Sequence, residues 1–362
     1  MKKRSIAGRI FKLLGIALGA VALCAVALIA WLTVCEYRPD AVETLDVIGG
    51  SGDILSPGET VSILSFNTGY AGLGREEDFF MDGGHMTRPD KRSDVTSYLN
   101  GIIDSIAGID PDICLLQETD VHSTRSYGIN EVRLISSGFG GCAAFAHNYK
   151  CPFVPFPLPP IGRVESGLLT LSRYRVDEAQ RIALPVPFSW PVRVANLKRC
   201  LLLERLPLSD GSELVLINLH LEAYDDGSGK EAQARMLIDI LTSEYEKGNY
   251  VIAGGDFNQT FASAGADYPV LDGEFWAPGE FPEELLPEGW QVAFDASTPS
   301  CRLLNKPYSG DRSDTQLYLI DGFILSPNVT LEKVETIDLD FQSSDHNPVC
   351  VELTLGTKEP QP

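Results

Sequence analysis

Several apolar stretches of the chain end in a residue that can do chemistry. ILSFNTG closes on Asn67 and CLLQETD on Glu118. LVLINLHL closes on His220, and VIAGGDFN on Asp256 and Asn258. YLIDGF carries Asp321, and SSDHNPV carries Asp345 and His346. Packing alone does not call for polar residues at the ends of buried strands, so each is expected at a sheet edge where a cleft forms. The types suit one reaction. Glu118, with amide and carboxyl oxygens, can hold Mg²⁺, a hard ion that prefers oxygen ligands; Mn²⁺ and Ca²⁺ are alternatives. Such an ion neutralises charge building on a phosphoryl oxygen. His346 can take a proton from an attacking water, with Asp321 fixing its tautomer. His220 can donate to phosphoryl oxygens, and Asp256 and Asn258 can orient the nucleophile.

Each residue has a plainer reading alone. Asp and Asn after a strand cap turns, and a His ending an apolar strand is commonly a hydrogen-bonded core residue. Arg88, Arg125 and Tyr127 follow the first two strand-end sites and can reach a substrate phosphate; they can equally be surface loop residues. Arg193, Asn196 and Lys198 are balanced in the same way between rim and substrate contact.

The set, in this order, resembles the endonuclease/exonuclease/phosphatase superfamily, the fold of deoxyribonuclease I. The resemblance spans roughly residues 60–355 and rests on GGDFN (Gly254–Asn258) and SDHNPV (Ser344–Val349), supported by LLQETD (Leu115–Asp120) and NLHL (Asn218–Leu221). It implies a four-layer α/β/β/α sandwich and a metal site on Glu118 with Asn67 and Asp345 near. It implies water activated by His346 with Asp321, oriented by Asp256 and Asn258, and phosphate stabilised by His220 and Asn258. In some members the counterpart of His220 pairs with a glutamate on an earlier strand, for which Glu165 in RVESGLL is a candidate.

These residues need strands and helices to place them. Val61–Phe66, Ile113–Gln117, Gly167–Leu171, Lys198–Leu206, Leu214–Leu219, Tyr250–Gly254, Gln316–Leu325 and Val349–Leu355 read as strands. Apolar residues at helical period fill Ser93–Ile106 and Glu231–Glu246. The expected class is therefore α+β: two packed, mainly antiparallel sheets with helices outside. Residues 265–300, rich in Pro, Gly and acids, read as a surface excursion, and PFVPFPLPP (Pro152–Pro160) as a loop.

The N-terminus differs in kind. Lys2, Lys3, Arg4, Arg9 and Lys12 precede an uncharged run from Leu13 to Cys35, long enough for a spanning helix of roughly 20 residues. The reading is a basic tail 1–12, a transmembrane signal anchor 13–35, a linker 36–60, a catalytic domain 61–356 and a tail 357–362. A cleaved signal peptide is the alternative. The positive-inside rule puts the tail in the cytoplasm and the domain outside the cell. There, Cys142 and Cys151 could pair in an oxidising medium.

The net charge of −21 over 362 residues disfavours a nonspecific binder of nucleic acid, which works by neutralising phosphates. The expected activity is that of a Mg²⁺-dependent phosphodiesterase on a lipid headgroup or other small phosphoester. An extracellular nuclease and a noncatalytic module on the same fold are the alternatives. Oligomeric state stays open.

Overall fold

The computed structural model describes residues 6–50, 52–265, 268, 271 and 276–356. The first residues of the basic tail, residue 51, most of 266–275 in the first part of the 265–300 excursion and the 357–362 tail lie outside the described residues.

Two seven-stranded sheets pack face to face. One runs Val42–Leu45, Glu178–Ala183, Cys200–Pro207, Glu213–His220, Tyr250–Asp256, Asp321–Leu325, Gln291–Ala293. The other runs Val329–Thr336, Val349–Leu355, Thr60–Asn67, Ile113–Asp120, Gly162–Ser172, Cys142–Val154, Ile48–Gly49. Each contains one parallel pair, Thr60–Asn67 with Ile113–Asp120 and Glu213–His220 with Tyr250–Asp256, among antiparallel neighbours.

Strand alternation decides what faces what. Val61, Ile63, Ile113, Leu115, Leu214, Leu216, Tyr250, Ile252, Phe323 and Val351 meet between the sheets. The intervening residues face outward. Leu64, Phe66, Cys114 and Leu116 pack under helix Arg92–Ile109 through Val95, Leu99, Ile102 and Ile106. Val215, Ile217, Val251 and Ala253 pack under helix Ser228–Glu246 through Leu237, Ile238 and Leu241. Helix Glu131–Phe139, not foreseen from sequence, is capped by the Asn130 side chain accepting from Arg133 N–H at 2.8 Å. The layers are thus helix, sheet, sheet, helix.

Several expectations change. The segment 36–60, read as a linker, does more than connect: Val42–Leu45 extends one sheet against Glu178–Ala183, and Ile48–Gly49 extends the other against Ala143 and Cys142. The expected strand Gln316–Leu325 breaks in two, and its first part, Leu317–Tyr318, pairs with Cys301–Arg302 instead. Pro152–Val154 closes a long strand, and only 155–161 loops out. Cys142 and Cys151 lie on that one strand as free thiols. Nine residues of extended chain separate them by roughly 30 Å, far beyond disulfide reach.

Helix Ile6–Val34 precedes the sheets, and an 18-residue window within its stretch Gly8–Val34 has a mean hydropathy of 2.7, so the helix is long and apolar enough to cross a membrane.

Candidate active site

The site continues the inter-sheet core. Parity carries Val61 and Ile63 on to Ser65 and Asn67, Ile113 and Leu115 to Gln117, Leu214 and Leu216 to Asn218 and His220, Tyr250 and Ile252 to Asp256, and Leu325 and Phe323 back to Asp321. All of these positions are buried. The first polar layer joins the two sheets: Gln117 Nε2 donates to Asn218 Oδ1 at 2.8 Å, and Asn218 Nδ2 to the carbonyls of Leu116 and Leu169. Beyond it lie the groups with chemical capacity.

Two of them depend on strained backbone. The ladder between Ile113–Asp120 and Gly162–Ser172 shifts register between Leu116 and Thr119, and within that bulge Glu118 adopts φ 54°. Bulges re-aim side chains. Here the carboxylate turns to Asn67, whose Nδ2 lies 3.4 Å away. Asn258 has φ 51°; its N–H donates to Asp256 Oδ1 at 2.8 Å and its Nδ2 to the Leu221 carbonyl at 3.0 Å. Left-handed conformations at non-glycine residues cost about 1–3 kcal/mol each and concentrate at functional sites. In GGDFN, Gly255 has no substitute: a Cβ there would sit 2.0 Å from the Leu219 carbonyl oxygen.

Asp256 Oδ2 is the hub. It accepts from Asn67 Nδ2 at 2.9 Å and lies 3.4 Å from His220 Nε2 and 3.8 Å from His346 Nε2. His346 Nδ1 lies 2.8 Å from Asp321 Oδ2, and its Nε2 4.0 Å from Asp345 Oδ2. The electrostatics separate the histidines. Burial opposes charge on His346, but Asp321, Asp345 and Asp256 surround it and hold its pKa well above the ordinary value. Burial, with Arg199 and His346 adding, pushes His220 well below. Asp256 is raised to about 7 by burial and by Asp321. One histidine thus carries charge, one is neutral, and a carboxyl between them titrates near neutrality.

Glu118 and Asp345 form the acidic half. Burial raises Asp345 to about 6; His346 and Arg302 hold it down, and the charge of Glu118 pushes it up. Carboxylates gathered against their mutual repulsion, all with oxygen donors, fit a hard divalent cation. Asn67 Oδ1 accepts from the Gly69 N–H and its Nδ2 donates to the carboxylates of Glu118 and Asp256, so it clamps them, and an amide oxygen with one bond has a second lone pair for a cation. Two tighter groups of metal-capable atoms centre on His346 instead, one with Asp256 and Asp321 and one with Cys301 and Asp345. In the first, Asp321 already bonds the ring. In the second, burial pushes the Cys301 thiol up to about 12, so it remains a neutral donor to the Arg302 carbonyl.

The three residues considered for phosphate contact separate. Arg125 is buried, stacked 3.6 Å over the Tyr70 ring, bonded to Asp120 at 3.0 Å and 4.0 Å from Glu118. It borders the acidic half. Arg88 and Tyr127 stack on each other at 5.1 Å and bond loop carbonyls, Thr124 for Arg88 and Pro89 and Asp90 for Tyr127. They brace the rim and join none of the groups at Asp256. Glu165 pairs with Arg163 and Lys150 and not with His220.

Sequence reasoning missed the wall opposite. Asp82 accepts from the Tyr224 hydroxyl at 3.0 Å and from the Leu304 N–H at 3.3 Å. Burial raises its carboxyl against these bonds, and Glu118 adds to the rise. Arg302 lies buried beneath, donating to the carbonyls of Gly74 and Glu77. These residues come from a short turn, a loop and a two-residue strand, too short for any periodicity to mark them.

The fold also occurs in known proteins. A structure from Beutenbergia cavernae described as an endonuclease/exonuclease/phosphatase superposes with a TM-score of 0.58 at 16% identity, covering 82% of this chain and 72% of that one. An endonuclease/exonuclease/phosphatase family protein from Bacteroides thetaiotaomicron gives 0.53 at 16%, covering 83% and 99%. D. rerio TDP2 complexed with single strand DNA product gives 0.51 at 18%, covering 82% and 99%. These likenesses establish the fold. No curated protein matches the chain by sequence. The profile of the Endonuclease/Exonuclease/phosphatase family matches residues 64–346, from the strand of Asn67 to His346 itself, and the chain therefore belongs to this family of divalent-metal-dependent phosphoester hydrolases.

Proposed function

We propose that this chain is a Mg²⁺-dependent phosphodiesterase of lipid headgroups or similar small phosphoesters, anchored by its N-terminal helix with the catalytic domain outside the cell. The observation that carries the reaction is the convergence of Asn67, His220 and His346, from distant parts of the sequence, on one carboxylate oxygen of Asp256.

Glu118 and Asp345 would hold the cation, with Asn67 beside them; when bound it neutralises charge on the phosphoryl oxygens. The protein's own groups handle the proton. Asp321 fixes His346 through Nδ1, so Nε2 faces Asp256 and the cleft. Asp256 and Asn258 orient the water, whose oxygen forms the new bond to phosphorus as its proton passes to the Asp256–His346 pair. The ester bond breaks on the opposite side, and the departing oxygen takes up a proton from solvent, to which the Asp256–His346 pair returns the one it accepted. Neutral His220 donates to a phosphoryl oxygen and adds no fixed charge.

The anchor reading draws support from Leu32, in the last turns of the helix, which is only 2% exposed because it packs on the domain. The charge of −21 favours small phosphoesters over nucleic acid. The test is turnover by the full chain in nanodiscs with Mg²⁺, on choline-phosphate lipids, bis(p-nitrophenyl) phosphate and plasmid DNA. Headgroup release absent in Glu118→Ala supports the reading. Plasmid cleavage that falls steeply with salt, without headgroup release, replaces it with a nuclease.

A further inference from the structure

The anchor helix and the catalytic cleft share one end of the sandwich. Asp120 pairs with Ser166, so the strand carrying Glu118 ends where Gly162–Ser172 begins, and Val154 finishes beside Gly162. In the other sheet Leu201 pairs with Leu219, next to His220. The connections 155–161 and 184–199 therefore project from the catalytic end.

The helix docks on these same connections. Leu32, with Leu28, packs on Cys151, Val154, Val164 and Val194. Thr33 Oγ1 accepts from Trp190 Nε1 at 3.1 Å. Just beyond the helix, the buried Glu36 side chain lies 3.2 Å from Arg193 and 3.5 Å from Lys198. At 1.5 Å per residue, Leu28 lies about 9 Å before the end of the helix at Val34, so the surface that touches it stands at the depth of the headgroup–acyl boundary. Around that contact, Phe156 is 67% exposed, Leu158 89%, Trp190 56% and Val192 58%. Lys150, Arg163 and Arg193, all half-exposed, rim these tips in an otherwise acidic protein. The Phe156 ring also packs 5.7 Å from Phe80, which leads directly to Asp82 on the cleft wall.

We propose that Phe156, Leu158, Trp190 and Val192 form a collar seated in the leaflet around the protein's own anchor helix, so that the cleft draws its phosphoester from lipids of that same membrane. This rests on the reading of the helix as a retained anchor and of the cleft as a phosphodiesterase site. Four aromatic or aliphatic side chains are otherwise left in water beside an apolar helix, and the leaflet that receives the helix is the surface continuous with them.

The test uses the full chain in phosphatidylcholine nanodiscs, with and without brominated acyl chains, comparing wild type with Trp190→Phe. The difference spectrum isolates Trp190, since Trp31 on the anchor contributes to both. The proposal expects brominated lipid to quench at least about half of that emission, as for a side chain in the acyl boundary; an unquenched Trp190 overturns it. A Phe156→Ser/Leu158→Ser variant should release headgroups at least about tenfold more slowly while hydrolysing bis(p-nitrophenyl) phosphate at the wild-type rate. Equal loss on both substrates, or on neither, overturns delivery through the collar. Quenching of Trp190 without headgroup release by the wild type would leave the seated collar standing and refute the lipid substrate.

Discussion

At one end of the space between the sheets, Leu55, Tyr174, Leu208, Leu214, Tyr250, Val329 and Leu355 close against one another, and the Tyr250 hydroxyl donates to the Gly356 carbonyl. At the other end, the same inward positions of the same strands hold Asn67, Gln117, Asn218, His220, Asp256 and Asp321. The alternation is identical; the residue types differ. The far end is satisfied by its own contacts. The catalytic end keeps Glu118 and Asn258 at positive φ, and buries His220 Nδ1 and Asp321 Oδ1 without partners. Stability and reactivity are built by one pleat, and the difference shows where the fold tolerates strain and unmet polar groups for the sake of a reaction.

The largest expected effect tests that division directly. His346→Ala should lower turnover roughly 100- to 10,000-fold, the range for losing a positioned proton-transfer group. The melting temperature should also fall at neutral pH, because the substitution leaves the buried carboxylates of Asp321, Asp345 and Asp256 without the positive charge they surround. Steady-state kinetics and a thermal melt on the same preparation check both. A lowered melt with intact activity per folded molecule would erase the distinction between the ends.

Leu216→Ala probes the apolar counterpart. Leu216 is 1% exposed and sits two residues before Asn218 on the same strand. Truncation should cost about 2–5 kcal/mol of stability and leave the turnover of the remaining folded molecules unchanged. Denaturant unfolding gives the first number and active-site-normalised kinetics the second.

Much of this contrast is legible in the sequence, and the part that is not has a physical cause. Tyr250–Gly254 and Leu214–Leu219 are short apolar runs closed by polar residues, so both strands and their chemical ends can be read directly. Helix Ser228–Glu246 follows from the spacing of Leu237 and Leu241. The segment 36–60 misleads, because its edge strands are short, partly exposed and rich in turn residues, and pairing partners some hundred residues away leave no local trace. Cys142–Val154 is hidden because its buried positions hold small or polar residues, Ala144, Ala146 and Asn148, while aromatic rings such as Phe145 and Tyr149 stand on the half-exposed ones. Arg125 reads as a loop residue but is buried by an aromatic ring, Tyr70, that arrives from another loop. Asp82, Tyr224 and Arg302 face the cleft only through tertiary contacts.

Glu204 is an exception within the apolar region. It shares the inward parity of Leu202 and Leu206, is 1% exposed, and has Oε2 without a partner. Burial alone raises its pKa from 4.5 to about 8. Below 4.5 both folded and unfolded chains carry the proton, and no linkage acts. Between 4.5 and 8 the unfolded chain releases the proton while the folded one keeps it, so stability falls as pH rises. One pKa unit corresponds to about 1.4 kcal/mol, and with relaxation of the site about 2–3 kcal/mol in total is expected. Glu204→Gln should flatten this slope, measured as unfolding free energy at pH 5 and pH 8. An unchanged slope would assign the pH dependence to the catalytic end.

The smallest expected effect separates the ends by ligand. If the acidic half of the cleft is completed by a cation, Mg²⁺ at ten times its dissociation constant should stabilise the wild type by about 1.4 kcal/mol. Leu216→Ala should gain the same increment, since its defect lies between the sheets and away from Glu118 and Asp345. Asp345→Asn should lose most of it, because that substitution removes a charged oxygen donor whose carboxyl is raised to about 6 by burial and, further, by the charge of Glu118. Thermal melts of the three proteins with Mg²⁺ and with a chelator decide the matter. Equal increments in all three would place the cation elsewhere; an increment absent only from Asp345→Asn would make the polar end a site that reaches its full stability only with its ion.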